Sequence, residues 1–177
     1  GNVTGQRDPR ERPWYKNARA AGKPIFTEVY EDARTKKMVV SVAAPYEAGV
    51  VAADISLDTL SERIAHLKYH GEGQGIVVSP SGLIIASTEN LTMKKADDNP
   101  ILKANLSTMI QNQKGYFAME KDGEQQIIAY ATVPATGWII AISVPESVAF
   151  AQLASLKMTY AGMSLLGILL VVGLILA

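Results

Sequence analysis

The chain has 177 residues, 48% of them hydrophobic and 19% charged, with Lys plus Arg and Asp plus Glu at 17 each and no Cys. That apolar fraction buries a core and excludes a disordered or fibrous chain. Balanced charge without a basic stripe removes the electrostatic basis for nucleic-acid binding, and the lack of Cys removes disulfides, thiolate metal sites and Cys nucleophiles.

Residue 1 is Gly rather than Met, so the chain reads as a fragment or a processed form. In chain order, Pro13 starts a short helix that Gly22 closes. Ile25 to Tyr30 reads as a strand, Ala33 to Lys37 as a polar turn, and the apolar, β-branched run Met38 to Ala44 as a second strand. Pro45 to Gly49 turns the chain into a third strand, Val50 to Ile55. Leu60, Ile64 and Leu67 have helical spacing, which predicts a helix over Asp58 to Leu67.

Gly71, Gly73 and Gly75 mark a boundary, after which the strand pattern restarts. Ile76 to Val78 and Leu83 to Ala86 flank the turn Ser79-Pro80-Ser81-Gly82. Asn99 caps a predicted helix running to Gln111, with Pro100 at its first position. Gly115 to Met119 and Gln126 to Val133 pair across Asp122-Gly123 as a hairpin. Trp138 to Val144 is a last strand, and Pro145 opens a helix expected to continue without a clear break. From Met158 to Ala177 no residue is charged. A helix needs about 20 such residues to cross a bilayer, and here they run all round the helix rather than along one stripe. Lys157 and Tyr160 stand where interfacial anchors stand. The segment therefore reads as a transmembrane helix behind a soluble part, residues 1–157.

Two clusters carry chemistry. Arg10-Glu11-Arg12-Pro13-Trp14-Tyr15 sets two guanidinium groups beside two aromatics. Asp54 lies in the otherwise apolar strand Val50-Val51-Ala52-Ala53-Asp54-Ile55, where a carboxylate is costly unless partnered. Arg12 has the planar fork that grips a carboxylate. Trp14, Tyr15 and Tyr30 are directional donors on apolar bodies, and Asp54 accepts from an ammonium. A cationic and an anionic end in one pocket complement a zwitterion. The same residues also read as an internal Arg12–Asp54 ion pair over a core Trp14, with Ser56 and Asp58 better placed than Asp54 to cap the following helix. His66 and His70 have metal-ligand spacing but no third ligand, and Gly71 to Gly75 lacks the helix start of a phosphate cradle. No metal or cofactor is expected, and no nucleophile turn supports an enzyme.

Asp8-Pro9-Arg10-Glu11-Arg12-Pro13-Trp14-Tyr15, then Tyr30, then Val50 to Leu57 around Asp54, resembles the double Cache domain of bacterial methyl-accepting chemotaxis receptors. The resemblance covers nearly the whole chain. It implies an α+β fold of tandem PAS-like (Cache) modules with antiparallel sheets, followed by the transmembrane helix. Residues 1–67 match the remainder of the membrane-distal module and its connecting helix, 68–157 the membrane-proximal module and exit helix, and 158–177 a truncated span. A stalk helix, first span and start of the distal module would precede them.

In the amino-acid-sensing subset an Arg and a Trp bind the ligand carboxylate, and Tyr and Asp bind the amino group. Arg12, Trp14, Tyr15 and Asp54 match that motif, and Tyr30 matches a pocket tyrosine. Arg7 stands where the motif has a Tyr, which weakens amino-acid recognition or favours a ligand with an extra acid group. The implied protein is not an enzyme. It is a chemoreceptor sensing region for an L-amino acid or related amine, homodimeric in the full receptor and held in the bacterial inner membrane, with the sensor periplasmic or extracellular. The alternatives are an input domain of a histidine kinase or diguanylate cyclase, and a structural module that binds no small molecule.

Overall fold

The computed structural model describes residues 8–67 and 71–151. Arg7, His70 and the uncharged stretch 158–177 lie outside the described residues. Among the described residues no helix is long and apolar enough to cross a membrane.

The first part of the chain builds a four-stranded antiparallel sheet. A 3₁₀ turn, Pro9–Glu11, leads into helix α1, Pro13–Ala21. Pro13 suits the first helical position because the missing N–H would have no intrahelical acceptor there, and Gly22 ends the helix as expected. Strands β1, Ile25–Phe26, and β2, Tyr30–Glu31, pair with one edge of β3, Met38–Tyr46, and β4, Gly49–Ser56, pairs with the other.

The expected single strand from Ile25 to Tyr30 is broken at Thr27-Glu28-Val29. The cause is local. Ser41 donates its backbone N–H to the Thr27 hydroxyl at 2.9 Å, and Thr27 N–H donates to the Ser41 carbonyl at 3.0 Å. A side chain thus replaces a ladder partner and the edge strand bends away. The turn between β3 and β4 is tighter than expected, because Tyr46 already pairs with Gly49.

Helix α2, Leu57–Ala65, follows β4 directly. Its cap is Ser56, whose hydroxyl accepts from Thr59 N–H at 3.1 Å, so Asp54 is left free of that role. A second, five-stranded antiparallel sheet follows, in the order β6-β5-β9-β8-β7. Its strands are β5, Gln74–Val78; β6, Ile84–Ser87; β7, Lys114–Lys121; β8, Glu124–Thr132; and β9, Ile139–Pro145. Helix α3, Pro100–Asn112, is capped by Asn99, whose Oδ1 accepts from Leu102 N–H at 3.0 Å. The β7–β8 turn places Asp122 and Gly123 at φ of 53° and 81°, the pairing that matches strand twist in a two-residue hairpin.

The helix expected from Pro145 begins at Glu146 and can be followed only to Ala151. Helix α4, Glu146–Ala149, closes at Phe150, whose φ of −109° and ψ of 13° lie outside helical values. Ala151 is helical again, and the rest of the expected helix lies outside the described residues.

Two apolar clusters hold the molecule. One packs α3 onto the second sheet through Leu102, Met109, Ile84, Ile128 and Ile139. The other joins the two sheets through α2: Val40 of β3, Leu57 and Ile64 of α2, and Val77, Ile85 and Ala86 of β5 and β6. Phe26 and Trp138 extend that seam at a ring-centroid distance of 6.3 Å.

Candidate functional site

A cleft of about 680 Å³ opens beside the first sheet. It falls within the range of ordinary small-molecule sites, roughly 300–1,000 Å³. Arg12, Pro13, Trp14 and Asn17 of the α1 segment line it, with Thr27 to Ala33 and Asp54. Four of the five residues singled out from the sequence, Arg12, Trp14, Tyr30 and Asp54, thus share one cavity. Tyr15 does not line it. One position along the helix, its ring turns toward the β3–β4 corner, where its hydroxyl lies beside Gly49, and it packs edge-on against Trp14 at 5.7 Å. Trp14 and Asn17 share the cleft face because they are three residues apart, whereas Arg19, four after Tyr15, donates to the Tyr46 carbonyl at 3.0 Å.

The two neighbouring arginines have different fates. Arg10 is locked onto Asp8, with Nη2 at 2.6 Å and Nε at 2.9 Å from Oδ2. This pairing, with the Arg10 N–H bond, holds the Asp8 carboxyl below its usual range. Arg12 caps α1 through its backbone, whose carbonyl accepts from Tyr15 and Lys16 N–H, both at 3.1 Å. Its guanidinium has no ion-pair partner among the described residues, and it does not pair with Asp54. The first turn of α1 carries no acidic residue, and its positive dipole end borders the same cleft.

Asp54 is held on one side only. β3–β4 pairing sets Ser41 directly opposite it. The fully buried Ser41 hydroxyl donates a short hydrogen bond to Asp54 Oδ1. That uses its only proton, so the Tyr30 hydroxyl is the donor toward Ser41 Oγ at 2.6 Å, and it also reaches Asp54 Oδ1 at 3.3 Å. Burial, together with the nearby Asp54 charge, raises the Tyr30 phenol above its usual value and keeps it protonated as a donor. Asp54 Oδ2 has no partner among the described residues and remains an acceptor at the cleft.

Ser41, Thr27 and Asn17 were not singled out from the sequence. Ser41 sits in an apolar run that reads as an ordinary buried strand, and only the cross-strand register reveals its partner. Asn17 could have been found by helical spacing from Trp14.

The arrangement complements a zwitterion: an unpaired guanidinium at one part of the cleft and a half-satisfied carboxylate at another. Charged hydrogen bonds of this kind contribute about 1.5–3 kcal/mol each. No cluster of three His, Cys, Asp or Glu capable of holding a metal occurs among the described residues.

Residues 1–153 match the family pattern described as Cache domain. The methyl-accepting chemotaxis protein McpG of Pseudomonas putida is 30% identical over 161 residues, 85% of this chain and 24% of McpG. The chain thus spans about a quarter of the length of the curated relatives it matches. Among solved structures, it is similar to the ligand-binding domain of the Pseudomonas aeruginosa amino acid chemoreceptor PctB in complex with L-Arg. There the TM-score is 0.58 and the identity 28%, over 85% of this chain and 66% of that one. The ligand-binding domain of the Pseudomonas fluorescens chemoreceptor CtaA with L-isoleucine gives a TM-score of 0.61 at 28% identity, over 86% of this chain and 64% of that one. With the family pattern running across both sheets, the chain belongs to the Cache domain family, and chemoreceptors are among its relatives.

Proposed function

We propose that this chain is the extracytoplasmic ligand-sensing region of a membrane chemoreceptor and that its first sheet binds an L-amino acid or related amine. The observation that carries the reading is the pair Arg12 and Asp54: they line one cleft, do not neutralise each other, and each keeps unused hydrogen-bonding capacity toward it. The ligand carboxylate meets Arg12 and the Trp14 indole N–H beside the positive end of α1. The ligand ammonium meets Asp54 Oδ2, oriented by Ser41 and Tyr30. The similarity to chemoreceptor domains solved with L-Arg and L-isoleucine supports the same ligand class.

In this reading residues 1–67 are membrane-distal, 68–157 membrane-proximal and 158–177 the span, in a receptor that works as a homodimer in the bacterial inner membrane. The chain senses rather than catalyses. A ligand shifts the receptor only by binding one of its two states better than the other.

Thermal unfolding with a panel of amino acids and amines tests this, since a ligand that binds only the native state raises the midpoint. Asp54→Ala should abolish the rise while leaving the ligand-free protein folded, at a cost of about 1 kcal/mol for the lost Ser41 hydrogen bond. A full rise in that variant would remove Asp54 from the site, and no rise with any amino acid in the wild type would overturn the reading.

A further inference from the structure

We propose that the cleft selects amino acids whose side chain carries a second positive charge. This rests on the zwitterion reading above and extends it to the side chain. Any α-amino acid uses Arg12 and Asp54. Once those are assigned, the remaining charged residues of the lining are Glu28, Glu31 and Asp32, all acidic. Glu28 lies in the break between β1 and β2, Glu31 is the last residue of β2 and Asp32 follows it; all three border the cavity.

The three carboxylates differ in availability. Glu28 has no ion-pair or hydrogen-bond partner among the described residues. Asp32 uses Oδ2 to accept from the Thr35 N–H at 2.8 Å and the Thr35 hydroxyl at 2.6 Å. Those bonds, with a smaller contribution from the Arg34 N–H, hold its carboxyl below the usual range and keep it charged. Glu31 meets Lys36 at 3.3 Å, with both side chains more than half exposed, so solvent screens that pair and a bound cation displaces it at little cost. Arg34 lies close enough to help lower the Asp32 carboxyl, but it is not part of the lining.

A neutral or acidic side chain would enter this acidic segment with nothing to offset it. An ammonium or guanidinium would be drawn in by charge, and the Trp14 indole on the same cleft adds attraction for a cation. An extra acid group on the ligand, which Arg7 would favour from the sequence, is opposed by every described acidic side chain of the lining.

Calorimetric titration of the full-length protein with L-lysine, L-arginine, L-leucine, L-glutamate and cadaverine tests the proposal. Lysine and arginine should bind about tenfold tighter than leucine, and glutamate weakest. Raising the salt should shrink the lysine preference, because the acidic residues stand partly in solvent. Glu28→Gln should weaken lysine binding about fivefold and leave leucine unchanged. Leucine or glutamate binding as tightly as lysine would overturn the selectivity and leave the zwitterion site standing. Cadaverine, which lacks the carboxylate, should bind weakly; if it matched lysine, the Arg12 clamp would fall and with it the reading on which the selectivity rests. No binding by any of the five would overturn both.

Discussion

At Asp54 the strand carries a carboxylate that only its neighbours make useful. Ser41 and Tyr30 fix Oδ1 and leave Oδ2 for a ligand. Replacing Ser41 by Ala should therefore weaken amino-acid binding about tenfold, the worth of one hydrogen bond to a charged group. The same change should cost only about 1 kcal/mol of stability, since the buried volume barely alters and Tyr30 can turn to Asp54 alone. Titration calorimetry alongside a denaturant melt would separate the two effects. Equal ligand affinity in Ser41→Ala would show that the carboxylate is oriented without it. Asp54 was legible in the sequence because an acid in an apolar strand carries an energetic cost that asks for a reason. Ser41 was not, since a hydroxyl in a strand carries no such signal until the register is known. Arg12 and Arg10 were equal as residue types; Asp8 decides between them by locking Arg10.

Among the elements, α2 has the most to connect. It starts where β4 ends, and its buried residues reach β5 and β6. The approach is close: a Cβ placed on Gly75 would lie 2.4 Å from Ile64 Cγ2 and 3.3 Å from the Ile64 carbonyl. Gly75→Ala should cost about 1–3 kcal/mol by forcing the helix off the strand. Ile64→Ala alone should cost about 2–5 kcal/mol through the cavity it leaves. Together they should cost less than their sum, because the new methyl fills part of that space. Urea melts of the single and double variants give the coupling, and strict additivity would show that the two sites do not press on each other. The sequence revealed α2 through its apolar spacing, and the hairpins through their turn residues. It did not reveal the break between β1 and β2, since Thr27 reads as a good strand residue and acts here as a substitute ladder partner. The break at Phe150 was hidden for a related reason, as nothing in the residue types there forbids a helix.

For the molecule as a whole, one sheet carries the cleft and the other carries the larger apolar core. They meet through α2 and the Phe26–Trp138 contact. Amide hydrogen exchange with and without lysine should show protection at Thr27 to Ala33, in α1 and in α2. The β7–β8 hairpin, whose contacts lie with β9, α3 and α4 and, through Lys121, with Gln74 and Glu89, should exchange at an unchanged rate. Protection confined to the cleft, with α2 unaffected, would mean that this helix does not carry the response. Sequence periodicity sufficed to find both sheets, because each has hairpins with local turn chemistry. How the sheets meet was not legible, since that depends on which face of one helix each of them buries.

The closeness of Asp54 to Ser56 has a mechanical consequence. The acid that would hold a ligand and the hydroxyl that starts α2 stand on the same strand with only Ile55 between them, both in register with β3. There is no slack loop in which a tug on the carboxylate could dissipate. Any inward pull must either be resisted by the whole β3–β4 ladder or be passed to the root of the helix, like a rein tied directly to the bit.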